Sequence, residues 1–269
     1  LPKPCAYNLT RREIHYRHDA FSAGLRAAGY EVKTGGWNAA RAGDVLLIWN
    51  RYGQYHEQAG KFEKAGGTVI VAENGYLGVD ENCHQLYAMA RHGHNGAGDW
   101  PVGGPERFAA LGVDLAPWRA SGGHILVCPN RSFGMPGNIM PPDWGNDVRR
   151  RLAKVTKREI RLRPHPGNSA PRKPLAEDLA GAWACVIWSS SAGVHALAAG
   201  IPVVCEAPFW ICKPAVLDRV ADVEALDLTQ PWERMGADAT RLEAMRRLAW
   251  AQWRLSEIQS GEAFRRLLV

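Results

Sequence analysis

Residues 184–206 read ACVIWSSSAGVHALAAGIPVVCE. An apolar run from Ala184 to Trp188 ends in Ser189, Ser190 and Ser191, then passes through Ala192 and Gly193 into a short Ala/Leu-rich helix. The chain returns through Gly200-Ile201-Pro202 to a second apolar run, Val203–Cys205. This is the pattern of a strand–helix–strand unit. It sets three hydroxyls and the unpaired N–H groups of a helix N-terminus at the carboxyl end of a strand. Such a corner favours an anion, most often a phosphate. Gly193 carries no Cβ and would let a ligand or a neighbouring backbone come close. An N-capped helix in an ordinary βαβ unit accounts for the same residues, so the surrounding sequence has to decide.

Outward from this stretch the alternation continues. His124–Cys128 reads as a strand, Trp144–Val155 as a basic helix, and Glu159–Leu162 as a strand running into Arg163-Pro164-His165-Pro166. In the first half, His18–Gly29 reads as a helix and Tyr30–Val32 opens a strand. Asp44–Trp49 is a buried strand, Gln54–Ala65 a polar helix, and Thr68–Ala72 a strand followed by the loop Glu73–Tyr76. Strands alternating with helices predict an α/β fold with parallel, doubly wound sheets. Residues 80–121 break the rhythm with Gly, Pro, His and Trp, and read as a long functional loop or connection. A final helix is expected over Thr240–Ile258, with Leu242, Met245, Ala249 and Trp253 on one face. The expected division is an N-terminal domain over 1–118 and a C-terminal domain over 119–269.

At 269 residues with 46% hydrophobic residues the chain can bury an ordinary core, so wholesale disorder is excluded. No apolar run is long enough to span a bilayer, and the first twenty residues are polar and basic. A cytoplasmic protein without membrane insertion is expected. The six cysteines form no C-x-x-C pair, and Cys128, Cys185 and Cys205 fall in apolar strands, so reduced core thiols are expected. His84, His92 and His94 lack a fixed helical spacing, and no metal site is expected. The net charge of +6 permits a polyanionic partner without requiring one.

Three strand ends in the second half carry polar residues. Asn130, Arg131, Ser132 and Gly134 follow the first strand, Arg163 and His165 the second, and Ser189–Ser191 the third. In an open α/β sheet the ligand crevice lies beyond the carboxyl ends of the strands. Convergence of these loops would join guanidinium, imidazole and hydroxyl groups, a set suited to a diphosphate. The chain has neither G-x-G-x-x-G after an early strand nor G-x-x-x-x-G-K-[ST].

RPHP at 163–166, followed by a strand and SSSAGVHALAAGIPVV, resembles the C-terminal half of GT-B-fold glycosyltransferases, especially the capsule-polysaccharide type and small relatives in phage genomes. GPERFAALGVDLAPW with NRSFG, and the closing WAQWRLSEIQSGEAF, are similar to the same group, so the likeness covers most of Trp100–Phe264. The resemblance implies two facing Rossmann-like domains, a nucleotide-sugar donor such as a UDP-sugar held mainly by the C-terminal one, and no obligatory metal or other cofactor. By match of motif, Arg131, Arg163, His165, Ser189, Ser190 and Ser191 would hold the donor phosphates, and Glu206 ribose or sugar hydroxyls. The chain is short for that fold.

The N-terminal half should then supply a general base for the acceptor hydroxyl. Glu73, directly after a strand, is the first choice by position. Asp19 and His18 come next, then Asp99 and His94 on the acceptor side. Phage relatives of this kind resemble enzymes that glycosylate hydroxymethylpyrimidines in DNA, which makes double-stranded DNA the leading acceptor. Candidate backbone contacts are Arg11, Arg12, Arg17 and Arg51, with Tyr16, Trp49 and Tyr52 for stacking. Transfer to a bacterial surface glycan and a non-catalytic nucleotide- or nucleic-acid-binding protein are the alternatives. The sequence leaves the oligomeric state open.

Overall fold

A computed structural model describes residues 3–119, 121–165, 173–220 and 238–269. The chain divides into two compact units, Leu1–Leu111 with Arg247–Val269, and Gly112–Arg246. The tail expected in the second domain therefore packs with the first.

In the first unit, β1 (Cys5–Asn8), β2 (Glu31–Lys33), β3 (Val45–Trp49) and β4 (Thr68–Val79) run parallel in the order β4-β3-β1-β2. Helix α1 (His18–Ala27) joins β1 to β2, and α2 (Gln54–Lys64) joins β3 to β4. Alternate residues of the strands face opposite layers. Leu47 and Ile70 pack with Phe21 and Leu25 of α1, while Leu46, Ile48, Val69 and Val71 pack with Ala59 and Phe62 of α2.

The sheet then departs from the expected all-parallel form. β4 continues through Glu73–Tyr76, where a loop was expected, and turns into the antiparallel β5 (Gln85–Arg91). The long loop over 80–121 thus contains a strand, and also α3 (Glu106–Ala109). Leu86–Ala90 are all buried, so the fit of this segment to the core overrides its glycine-rich flanks.

The single terminal helix expected over Thr240–Ile258 is also replaced. Helix α7 (Asp238–Ala251) stops, β10 (Gln252–Trp253) adds antiparallel to β5, and α8 (Leu255–Gln259) and α9 (Glu262–Leu267) follow. Gln252 is 1% exposed, and its side chain explains the break. Its Oε1 accepts the Tyr76 N–H at 2.9 Å and its Nε2 donates to Leu77 O at 2.6 Å, in the stretch where the β4–β5 register shifts. These backbone groups lack regular ladder partners, and a buried amide is the remedy. Gly24 of α1 admits the tail closely, since a Cβ there would lie 1.9 Å from Ile258 O.

The second unit holds a four-stranded parallel sheet in the order β7-β6-β8-β9. Its strands are β6 (His124–Cys128), β7 (Glu159–Leu162), β8 (Ala182–Ile187) and β9 (Val203–Cys205). Helices α4 (Trp144–Val155), α5 (Leu175–Leu179) and α6 (Ala192–Ala198) connect them. β6, β8 and β9 are buried throughout, whereas the edge strand β7 alternates between exposed and half-buried residues. All six cysteines are free thiols, with Cys83 exposed and the rest buried. No helix among the described residues is long and apolar enough to cross a membrane.

Candidate functional site

In the second unit the strand order reverses between β6 and β8, the place where open α/β sheets bind ligands beyond their carboxyl ends. Two loops meet there through a reciprocal pair. Asn130 Nδ2 donates to Ser189 Oγ at 3.0 Å, and the Ser189 N–H donates to Asn130 Oδ1 at 3.1 Å. Ser190 Oγ accepts the Ala192 N–H at 3.3 Å, which orders the start of α6. Ser191 stands exposed at the helix N-cap. Arg131 and Ser132 are also exposed, with the Arg131 guanidinium 5.2 Å from the ring centre of Phe133. The structure thus brings the first and third of the expected strand ends together.

The other expected phosphate ligands have partners within the fold. Arg163 pairs with Asp178 and donates to Lys173 O at 2.9 Å. His165 is exposed at the end of the same segment, and Pro166 lies outside the described residues. Gly193 answers to packing, because a Cβ there would lie 2.6 Å from Ile187 Cδ1 and 2.8 Å from Trp210 Cζ2. It serves side-chain approach within the core where a ligand approach was expected. Gly193→Ala should cost about 1–3 kcal/mol by overpacking, read as a lower urea midpoint.

Glu206 was expected to meet ribose or sugar hydroxyls. Instead Arg151 donates to both of its oxygens at 2.7 Å, Trp144 Nε1 to Oε2 at 2.9 Å and the Val220 N–H to Oε1 at 3.2 Å. Burial raises its pKa, but these hydrogen bonds outweigh burial and hold the carboxyl below its ordinary value. A depressed carboxylate stabilises the fold above its unfolded pKa, about 4.3, and that contribution is lost as pH falls through the folded value. Glu206→Gln should therefore lower stability by about 2 kcal/mol at pH 7. The gap from wild type should close below about pH 4, a trend that urea titrations at both pH values would follow.

In the first unit a cleft of about 440 Å³ opens at the carboxyl ends of β1 and β2, beside the first turn of α1. Its floor is a closed polar network. Asn8 Nδ2 donates to His18 O at 3.0 Å and Ser22 Oγ at 2.9 Å, while Asn8 Oδ1 accepts from the Thr10 N–H at 3.0 Å and the Thr10 hydroxyl at 2.6 Å. His18 Nδ1 lies 2.9 Å from Thr10 O. A carbonyl can only accept, so Nδ1 carries a proton, and in the neutral ring the lone pair is on Nε2. Asp19 lines the same cleft, is exposed, and has no hydrogen-bonding or ionic partner among the described residues. His18 and Asp19 are thus brought together in a cavity, as a base and its neighbour would be.

The remaining expected residues lie elsewhere in this unit. Glu73 sits within β4, where its carboxylate accepts from the Tyr76 hydroxyl and, at 2.9 Å, from the Asn95 N–H. Gly93 and Gly98 make that loop tight, since a Cβ on Gly93 would lie 2.4 Å from Ala97 O. His94 Nδ1 accepts the Arg51 N–H at 3.4 Å, and Asp99 forms an isolated bridge with Arg91.

Arg51, expected on a nucleic-acid backbone, is buried. Its guanidinium donates twice to Glu63 at 2.7 Å, and His92 Nδ1 lies 2.9 Å from the same carboxylate. Arg17 Nε donates to the Tyr87 hydroxyl at 2.7 Å. Arg11 and Arg12 are exposed, with Arg11 5.6 Å from the ring centre of Tyr16. Tyr16 meets Trp49 edge-on at 5.0 Å, and Tyr52 is half-buried after β3. Among the described residues no three His, Cys, Asp or Glu side chains are grouped to hold a metal.

Sequence reasoning missed Asn8, Thr10, Ser22, Arg26 and Lys33 as cleft residues. The available signal was the buried strand CAYN ending on an asparagine two residues before a threonine.

No family model and no curated protein matches the chain. Solved structures similar to it include two from Thermosulfurimonas dismutans. KpsC, beta Kdo 2,4 transferase, aligns with a TM-score of 0.57 and 13% identity over 90% of this chain and 89% of that one. KpsC, beta Kdo 2,7 transferase, aligns with a TM-score of 0.52 and 14% identity over the same shares. At these identities the likeness is one of fold.

Proposed function

We propose that the chain is a glycosyltransferase that moves a sugar from a nucleotide-sugar donor to an acceptor hydroxyl. The observation that carries this reading is the fold shared, over 90% of the chain, with two proteins named as Kdo transferases. The donor phosphates belong at the carboxyl ends of β6 and β8, where Arg131, Ser190 and Ser191 flank the Asn130–Ser189 pair. His18 Nε2 takes the proton of the acceptor hydroxyl as its oxygen attacks the anomeric carbon. The bond from that carbon to the donor phosphate breaks, and the nucleotide leaves with the electron pair. Asp19 accepts a hydrogen bond from the acceptor and orients it. His18 replaces Glu73 as the base because its tautomer is set by Thr10 and it faces a cavity, whereas Glu73 anchors the loop around Asn95.

A surface glycan is the favoured acceptor. Two of the four arginines expected to meet DNA are engaged, Arg51 with Glu63 and Arg17 with Tyr87. The test is incubation with a panel of nucleotide sugars, oligosaccharide acceptors and hydroxymethylpyrimidine duplexes, scoring nucleotide release and acceptor mass. A sugar-sized gain on an oligosaccharide is the expected result. A gain on the duplex would reinstate DNA, and silence with every donor would overturn the transferase.

A further inference from the structure

The cleft beside α1 is lined by two guanidinium groups, Arg12 and Arg26, against one carboxylate, Asp19. Neither Arg12 nor Arg26 has an acidic partner among the described residues, whereas Lys33 shares the opposite face of the sheet with Tyr7 and lies 3.9 Å from Glu31. Two guanidinium groups against one carboxylate leave the cleft a positive excess. The two come from separate elements: Arg12 from the segment after β1 and Arg26 from α1. On α1, Asp19, Ser22 and Arg26 are spaced i, i+3 and i+7 and form one polar stripe. A rise of 1.5 Å per residue puts Arg26 about 10 Å along the axis from Asp19. One end of the stripe holds the group that orders a hydroxyl, and the other holds charge.

We infer that this cleft binds an anionic sugar, with a carboxylate or phosphate held by Arg12 and Arg26 and a hydroxyl presented to Asp19 and His18. The inference rests on the proposed transferase reading for calling that sugar the acceptor, but its anion selectivity stands on the lining alone. The polar floor of Asn8, Thr10 and Ser22 is held by its own hydrogen bonds, so the cleft keeps its form when the rim is altered. Charge-assisted bonds to guanidinium groups give such a site its affinity.

The test is a calorimetric titration of the whole chain with glucuronic acid, glucose 6-phosphate and glucose. Both acids should saturate while glucose does not, and the tighter acid identifies the anion. Arg26→Gln and Arg12→Gln should each weaken the acids about tenfold, or 1.4 kcal/mol, whereas Lys61→Gln on α2 should leave binding unchanged. Asp19→Asn removes the like charge and should tighten both acids, a sign that general loss of surface charge would not give. Glucose binding as well as the acids, or Arg26→Gln binding like wild type, would overturn the inference. So would displacement of the acids by a short DNA duplex at lower concentration, which would make the cleft a nucleic-acid site. Donor turnover is scored separately by nucleotide release. Turnover onto neutral acceptors without acid binding would sink the anionic acceptor and leave the transferase. Acid binding without turnover of any donor would sink the transferase and leave the anion site.

Discussion

Arg107→Ala should destabilise the first unit by about 3–5 kcal/mol, the cost of leaving a buried carboxylate without its partner. Arg107 Nη1 donates to Glu257 Oε1 at 2.7 Å and Nη2 to Oε2 at 3.1 Å, with both side chains 16% exposed. The same guanidinium donates to Ala249 O at 3.2 Å and Gln252 O at 2.6 Å, and lies 4.3 Å from the ring centre of Trp253. One side chain therefore satisfies the end of α7, the start of β10 and the first turn of α8. Burial raises the pKa of Glu257, but hydrogen bonds from Arg107 and the Arg254 N–H outweigh it and hold the carboxyl low. The urea midpoint of the variant should fall well below that of wild type. Arg107→Ala/Glu257→Gln should cost less than the sum of the two single changes, since each removes the same pair. Additive losses would mean that the pair contributes nothing beyond its separate parts.

His18→Gln should lower kcat by about 100- to 10,000-fold, the usual range for losing a positioned general base. Donor affinity should hold, because His18 and the donor-side residues Asn130 and Ser189 belong to different units. Folding should also hold, since glutamine can still donate to Thr10 O. A loss confined to kcat, with the urea midpoint unchanged, is a split that a merely structural histidine would not produce. Asp19→Asn should act differently, lowering kcat without raising the acceptor KM, because the like charge it removes opposes an anionic acceptor. Full activity in His18→Gln would return the base to Glu73.

The second unit was largely legible in the sequence, and the first only in part. Runs such as HILVC and VVC are buried on both faces, so apolar continuity alone marks them as inner parallel strands. Trp144–Val155 shows its buried face at Trp144, Val148 and Leu152, a helical spacing that needs no tertiary knowledge. β5 and β10 could not be read this way. Gln252 and Trp253 continue a good helical pattern, and only the irregular stretch of β4, a feature of pairing distant in sequence, draws them out of it.

Site residues show the same split. The meeting of Asn130 with Ser189 follows from strand-end position, which sequence reveals. The engagement of Arg163 by Asp178 and of Glu206 by Arg151 does not, because a charged residue at a strand end looks the same whether its partner is a ligand or a neighbour. The cleft beside α1 was only half visible, through Arg12, His18 and Asp19, since the strand end that floors it at Asn8 and the helix stripe that reaches Arg26 meet only in the fold.

The interruption of the first unit by residues 112–246 has a consequence for how the chain is made. Trp253, Ile258, Phe264 and Leu267 are core residues of a layer begun by Ala6 and Phe21. During synthesis, every residue of the second unit is made, and emerges, ahead of those four side chains. The earlier-made segment must wait with its apolar face uncovered while the later-made one completes. A released chain truncated after residue 246 should therefore carry a protease-resistant second unit and a sensitive first one, the reverse of N-to-C order.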